Sequence, residues 1–153
     1  MKTIVSIFIV CFIFHSKGTA QSKASYDSVL AKKLGADNYG MKKYVLVILT
    51  TGPADIKEKK TLGSLFAGHM KNIGRLADEG KLVVAGPFGK NDLSYRGVFV
   101  FNSSSIDDTK IMVATDPAVK AGLFNVVYLN WYCSGALMDV NNIHEKIQKS
   151  SFK

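Results

Sequence analysis

Phe66-Ala-Gly-His-Met-Lys-Asn-Ile-Gly-Arg-Leu-Ala-Asp-Glu-Gly-Lys-Leu-Val-Val-Ala-Gly-Pro-Phe88 decides the fold. Its first half ends an amphipathic helix that begins near Lys57, with Leu62, Leu65, Phe66, His69, Ile73 and Leu76 at helical spacing. Gly80 stops that helix, Leu82 to Ala85 is a short apolar strand, and Gly86-Pro87 breaks it. His69 lies at the middle of the apolar stripe, within about 40° of Leu62, Ile73 and Leu76 at 3.6 residues per turn. An imidazole there faces a sheet rather than water, and without a partner it costs stability. Gly63, Gly68 and Gly74 interrupt the same helix, each at about 1 kcal/mol relative to alanine. They point to close backbone packing or to simple tolerance.

Upstream, Tyr44-Val-Leu-Val-Ile-Leu-Thr-Thr51 is a β-branched and aliphatic strand closed by Gly52-Pro53. Downstream come a polar loop from Phe88 to Ser94, a strand over 96–102, and a helix over 106–114 capped by Ser103-Ser-Ser105. Asp116-Pro117 opens a further turn ending near Gly122, a strand covers 125–133, and an amphipathic helix covers 137–148. The order β-α-β-β-α-β plus a tail helix is the split-βαβ, ferredoxin-like α+β plan. Tyr44, Leu46 and Ile48 alternate with Val45, Val47 and Leu49, so the first strand is apolar on both faces. Val126 and Tyr128 oppose Val127, Leu129 and Trp131 in the last strand. Two helices cover only one face of four strands. A second copy of the sheet is the simple cover for the other, which predicts a homodimer packed sheet to sheet. The chain's own C-terminal helix is the competing cover, too short for the whole face.

The 153 residues are 47% hydrophobic, enough for one domain with its own core. Met1-Lys-Thr, an apolar run from Ile4 to Phe14, and His15-Ser-Lys-Gly-Thr-Ala20 have the three parts of a secretory leader, with cleavage expected after Ala20. The run is shorter than the about 20 residues of an ordinary membrane span, so no stable membrane insertion is expected after cleavage. Cys11 follows Val10, not a small residue, which argues against a lipoprotein site. The expected layout is a leader at 1–20, an N-terminal arm at 21–42, a domain at 43–134 and a C-terminal helix and tail at 135–153; the arm is polar and loose over 21–40, with room for a short helix from Tyr26 to Leu34 that Gly35 and Gly40 bracket. The expected destination is periplasmic or extracellular. Losing Lys2 and Lys17 with the leader lowers the formal charge from +8 to +6 and leaves Cys133 alone, so no internal disulfide forms. The remaining lysines are scattered, without the aromatic interleaving of a nucleic-acid surface.

No metal site, phosphate loop or dinucleotide fingerprint is present, and no cofactor is expected. Asp116 before Pro117 is a strong N-cap. If it also faces His69, its carboxylate fixes the imidazole tautomer and the two form a general acid/base pair; spacing alone leaves both roles open. Arg96, just after the Gly86-Pro87 loop, is the candidate anion holder. Phe88, Tyr95 and Trp131 are candidate pocket walls, and Lys81 reads as a surface charge.

His69, then Gly80-Lys-Leu-Val-Val-Ala-Gly-Pro87, then Asp116-Pro117, Gly122 and Trp131 resemble the YCII-related domain family over about residues 43–134. The Tyr39-Gly-Met-Lys-Lys-Tyr-Val45 lead-in is most similar to its secreted bacterial branch. The resemblance implies a ferredoxin-like domain pairing into a dimeric α/β barrel. It implies a shared cleft lined by His69 and Asp116 as a dyad; Arg96, Gly86, Pro87, Phe88 and Tyr95 are the candidate substrate-binding residues beside it. The fold is similar to muconolactone isomerases, and one family member is a dehydrohalogenase on aromatic breakdown products. The implied function is a cofactor-free lyase, isomerase or dehydrohalogenase acting on a small cyclic or aromatic acid. A non-catalytic ligand-binding module, or a structural dimer with a satisfied His–Asp pair, is the alternative. The leader, the arm and the tail from Gly135 set this chain apart from the family's compact cytoplasmic members.

Overall fold

The computed structural model describes residues 25–150. The expected leader, with Cys11 and His15, and the first residues of the arm lie outside them. The elements run α1 (Ser28–Leu34), β1 (Met41–Thr51), α2 (Lys59–Asp78), β2 (Leu82–Pro87), β3 (Tyr95–Phe101), α3 (Ile106–Val113), α4 (Pro117–Lys120), β4 (Phe124–Ser134), a 3₁₀ turn (Gly135–Asp139) and α5 (Val140–Ile147). The antiparallel sheet has the order β2-β3-β1-β4. With α2 linking β1 to β2, and α3 and α4 linking β3 to β4, this is the ferredoxin-like α+β plan. No described helix is long and apolar enough to cross a membrane.

The two faces of the sheet are used differently. Val45, Val47 and Leu49 of β1, Phe99 and Phe101 of β3, Leu82, Leu76 and Val113 form the core beneath the helices. Burying one such aliphatic side chain stabilises by about 1.5–3 kcal/mol. On the reverse face Tyr44, Val83 and Val100 form a smaller cluster with Leu46, Trp131, Leu137 and Met138. The 3₁₀ turn and α5 cover that end; Asn141 Nδ2 donates to Leu82 O (2.9 Å), and Tyr44 Oη donates to Ser134 O (3.1 Å). Beyond this cover the register aligns Val127 with Ile48 and Val98, and Leu129 with Leu46 and Val100. Val127 and Leu129 are each 45% exposed there.

Three expectations need correction. The tail is not one helix over 137–148: Gly135 packs where a Cβ would lie 2.8 Å from Ala36 Cβ, and the chain takes a 3₁₀ turn before α5 starts at Val140. Ile143 and Ile147, which fall at apolar positions of the expected amphipathic helix, are exposed. The described part of the arm is tied down rather than loose, and its expected helix forms as α1, where Asp27 Oδ1 caps by accepting from Val29 and Leu30 N–H (3.0 and 2.9 Å). Gly35, at φ 68°, ends that helix, and the Gly135 N–H donates to Gly40 O (2.8 Å). Smaller shifts fall at element ends: β1 begins at Met41, α2 at Lys59, and β2 runs on to Pro87.

Two glycines bring distant segments together. A Cβ on Gly52 would lie 2.1 Å from Gly122 O, so only glycine lets the end of β1 meet the turn into β4; the Gly52 N–H donates to Leu123 O (2.8 Å). A Cβ on Gly68 would lie 2.7 Å from Pro117 Cγ, whereas Gly63, a turn earlier, faces open space. Urea denaturation therefore separates them. Gly63→Ala stabilises by up to about 1 kcal/mol through helix propensity. Gly68→Ala destabilises by about 1 kcal/mol or more, because overpacking against Pro117 outweighs the same gain.

Candidate active site

α2 and α4 meet at the Gly68–Pro117 contact, and the residues next to each are His69 and Asp116. His69 Nδ1 lies 2.8 Å from Asp116 Oδ2, with the histidine 8% and the aspartate 1% exposed. Asp116 remains the N-cap of α4: its Oδ1 accepts from Ala118 N–H (2.9 Å) and Val119 N–H (3.2 Å). Its Oδ2 accepts a second bond, from Asn72 Nδ2 (3.3 Å). One carboxylate thus caps α4 on one side and faces His69 on the other.

That carboxylate takes four N–H groups, which fills its acceptor sites. Burial pushes the Asp116 carboxyl upward and is the largest single influence. The His69 bond and charge, the Val119 N–H and the Asn72 amide together outweigh it and hold the group below its ordinary value. An ionised acceptor on Nδ1 assigns the proton to Nδ1 and the lone pair to Nε2. No described group bonds Nε2, and no buried side-chain nitrogen lacks a partner, so Nε2 is where the ring reaches the surface.

Aromatic rings surround the imidazole. The Phe124 centroid is 5.4 Å away and that of Phe99 5.9 Å, while Phe66, half exposed, packs edge-on against Phe124 at 6.2 Å. Phe124 is paired with Thr51 across β4 and β1, and Arg96 Nε donates to Thr51 Oγ1 (2.7 Å). Arg96 therefore stands at the same end of the sheet as His69. Its terminal nitrogens meet no carboxylate among the described residues.

The other sequence candidates lie elsewhere. Gly86 and Tyr95 sit opposite Val98 and Thr50, on the reverse face, while Pro87 sits opposite Gly97, on the helix face. Phe88 stacks on Tyr95 at 6.1 Å, and Asn91 braces this rim by bonding Gly89, Leu93 and Tyr95. Neither ring contacts His69 among the described residues. Trp131 packs with Tyr44 on the reverse face rather than walling the dyad. Lys81 pairs with Glu79, as a surface charge should. Two open depressions, of ≈ 470 and ≈ 280 Å³, are lined by Lys42, Lys43, Ser104, Trp131 and neighbours and do not include His69. The sequence reading missed Asn72, Phe99, Phe124 and Thr51. Only Asn72 carried a readable signal, standing three residues after His69 on the same helix face.

No protein-family model matches the chain, and no curated protein does. Among solved structures, it is similar to 5-chloro-2-hydroxyhydroquinone dehydrochlorinase from Burkholderia phenoliruptrix AC1100, solved in complex with 2,5-dihydroxybenzoquinone. The identity is 25%, over 57% of this chain and 92% of that one, with a TM-score of 0.42.

Asp116→Asn tests the ionised state. Asparagine caps a helix as well as aspartate does, so the loss isolates the charged bonds, about 1.5–3 kcal/mol at pH 7. A carboxyl held below its ordinary value of about 3.9 contributes stability above that pH and loses it as the pH falls through the folded value. Denaturation series should show the gap between wild type and variant narrowing below about pH 4. A constant gap down to pH 3 contradicts it.

Proposed function

We propose that the chain is a small acid/base enzyme of YCII type, exported and dimeric, acting on a small aromatic or cyclic acid without a cofactor. One observation carries this reading: the imidazole is bonded on Nδ1 and meets no described partner on Nε2. The Nε2 lone pair is thus open to a molecule from outside, as a general base requires.

His69 Nε2 takes a proton from a carbon or hydroxyl of the substrate, and the Asp116 carboxylate stabilises the imidazolium that forms. In an isomerisation the proton returns to a different atom of the substrate. In a dehydrohalogenation the C–H electron pair becomes the new double bond, the halide leaves with its own bonding pair, and Nε2 keeps the proton. Asp116 does not itself take the proton, because its bonds to His69, Val119 and Asn72 hold the carboxyl below its ordinary value. Phe66, Phe99 and Phe124 favour a planar ring beside the imidazole. Arg96, steadied through Nε by Thr51, offers its remaining N–H groups to an anionic substituent.

A metabolite screen by thermal shift tests the site. Aromatic carboxylates or phenolates should raise the melting temperature at millimolar concentration, and Arg96→Gln should reduce that shift. His69→Asn should keep binding and lower turnover about 10²–10⁴-fold. Turnover that survives His69→Asn ends the reading of His69 as the base. Binding without turnover in the wild type leaves an accessory module.

The dimer is part of the same proposal. Its support is the aligned apolar row Val127, Leu129, Leu46, Ile48 and Val98, left open beyond the C-terminal cover. Export rests on the N-terminal leader pattern. Sedimentation of the mature chain should give a dimer, and Leu129→Glu should give a monomer of unchanged fold. A monomeric wild type at tens of micromolar ends the sheet-to-sheet reading.

A further inference from the structure

Asn72 is buried beside Asp116, one helical turn from His69, and its amide can face the carboxylate with either end. Its contacts with Arg75 and Thr115 decide which. Arg75 Nη2 donates to Asn72 Oδ1 (2.8 Å) and to Thr115 Oγ1 (3.1 Å). Thr115 Oγ1 lies 3.0 Å from Asn72 Oδ1 and 2.7 Å from Met112 O, with one proton to give to either. A flipped amide would aim its NH₂ at the guanidinium and its oxygen at the carboxylate, which is repulsive at both ends. Arg75 is itself held: Nη1 donates to Glu79 Oε1 (2.7 Å), and Glu79 Oε2 takes Lys81 Nζ (2.7 Å). A continuous polar row therefore runs from the exposed end of α2 through Arg75 and Asn72 to Asp116 and His69.

We infer that Asn72 is a positioning residue for the acid/base pair, and that Arg75 and Thr115 set its amide so that the nitrogen faces Asp116. The inference rests on the proposed function only for its catalytic meaning. Its physical content is that Asn72 fills the second acceptor site of Oδ2 and leaves His69 Nδ1–H a single direction of approach. Without that donor, Oδ2 is under-bonded, the carboxylate can turn, and the ring can take its other tautomer.

The test needs no substrate. The uniformly ¹⁵N-labelled mature chain gives the two ring nitrogens of His69 in a long-range ¹H–¹⁵N spectrum, assigned by their loss in His69→Asn. The wild type should show one tautomer, with the proton on Nδ1 and a slowly exchanging downfield signal. Asn72→Leu, which keeps the size and removes the amide, should lose the downfield signal and raise the Nε2–H population severalfold. Arg75→Met should do the same to a lesser degree without touching Asp116, and Arg75→Lys should restore part of the wild-type spectrum.

A lost hydrogen bond of merely structural value would lower the melting temperature and leave the tautomer alone. Folded Asn72→Leu and Arg75→Met proteins with the wild-type tautomer overturn the inference, as does a wild type that already mixes both forms. Should Asn72→Leu fail to fold, Arg75→Met decides, because Arg75 is largely at the surface. An Asn72-dependent tautomer with no turnover of any ligand sinks the proposed function alone. Turnover that requires His69 but is indifferent to Asn72→Leu, with an unchanged tautomer, sinks this inference alone.

Discussion

One buried carboxylate organises this molecule. Asp116 starts α4 with one oxygen and holds His69 and Asn72 of α2 with the other. An ion at 1% exposure is tolerable only when its acceptor sites are met. Meeting them requires α4 to lie against α2, and Gly68 makes that approach possible by having no Cβ to strike Pro117. Gly52 does the equivalent at the sheet, drawing the turn before β4 against the end of β1 and placing Phe124 beside the imidazole.

The chemistry follows from that bonding. A carboxylate that its N–H donors hold below its ordinary value keeps its charge, so it orients and stabilises the imidazole. The imidazole is then the mobile partner, and only its Nε2 faces outward. The surroundings are apolar rings, which strengthen the electrostatic hold of Asp116 on the ring by excluding water. In the proposed function this division of labour, one fixed anion and one base open at Nε2, is what separates the pair from a buried ion pair kept for stability.

The alternation of Val45, Val47 and Leu49 with Leu46 and Ile48, the Gly80 stop and the Asp116-Pro117 cap were all legible in the sequence, because each is a local signal. The His69–Asp116 contact was not legible from spacing. The two are far apart in the chain and meet through a glycine–proline packing that no local pattern records; the residues raise Asp116 only as a conditional partner, and the family resemblance adds the implied pair. Asn72 and Arg75 were passed over because the helix was read for its apolar stripe, and a polar residue at its margin looks like solvated surface. The tail was over-read for a related reason. Ile143 and Ile147 have helical spacing, but the contact of Gly135 with Ala36 sets where the chain can go, and that contact is tertiary. Tyr95 and Gly86 fell on the far face because their strand positions pair with Thr50 and Val98.

The most direct measurement is the ¹³C carboxyl signal of Asp116 followed down in pH, with exposed aspartates of the same chain as internal reference. The account predicts that Asp116 stays ionised after those side chains have protonated, and titrates only as the fold begins to fail. A carboxyl that takes its proton at or above the pH of its exposed counterparts would contradict a fully bonded anion, and with it the assignment of His69 Nε2 as the free base.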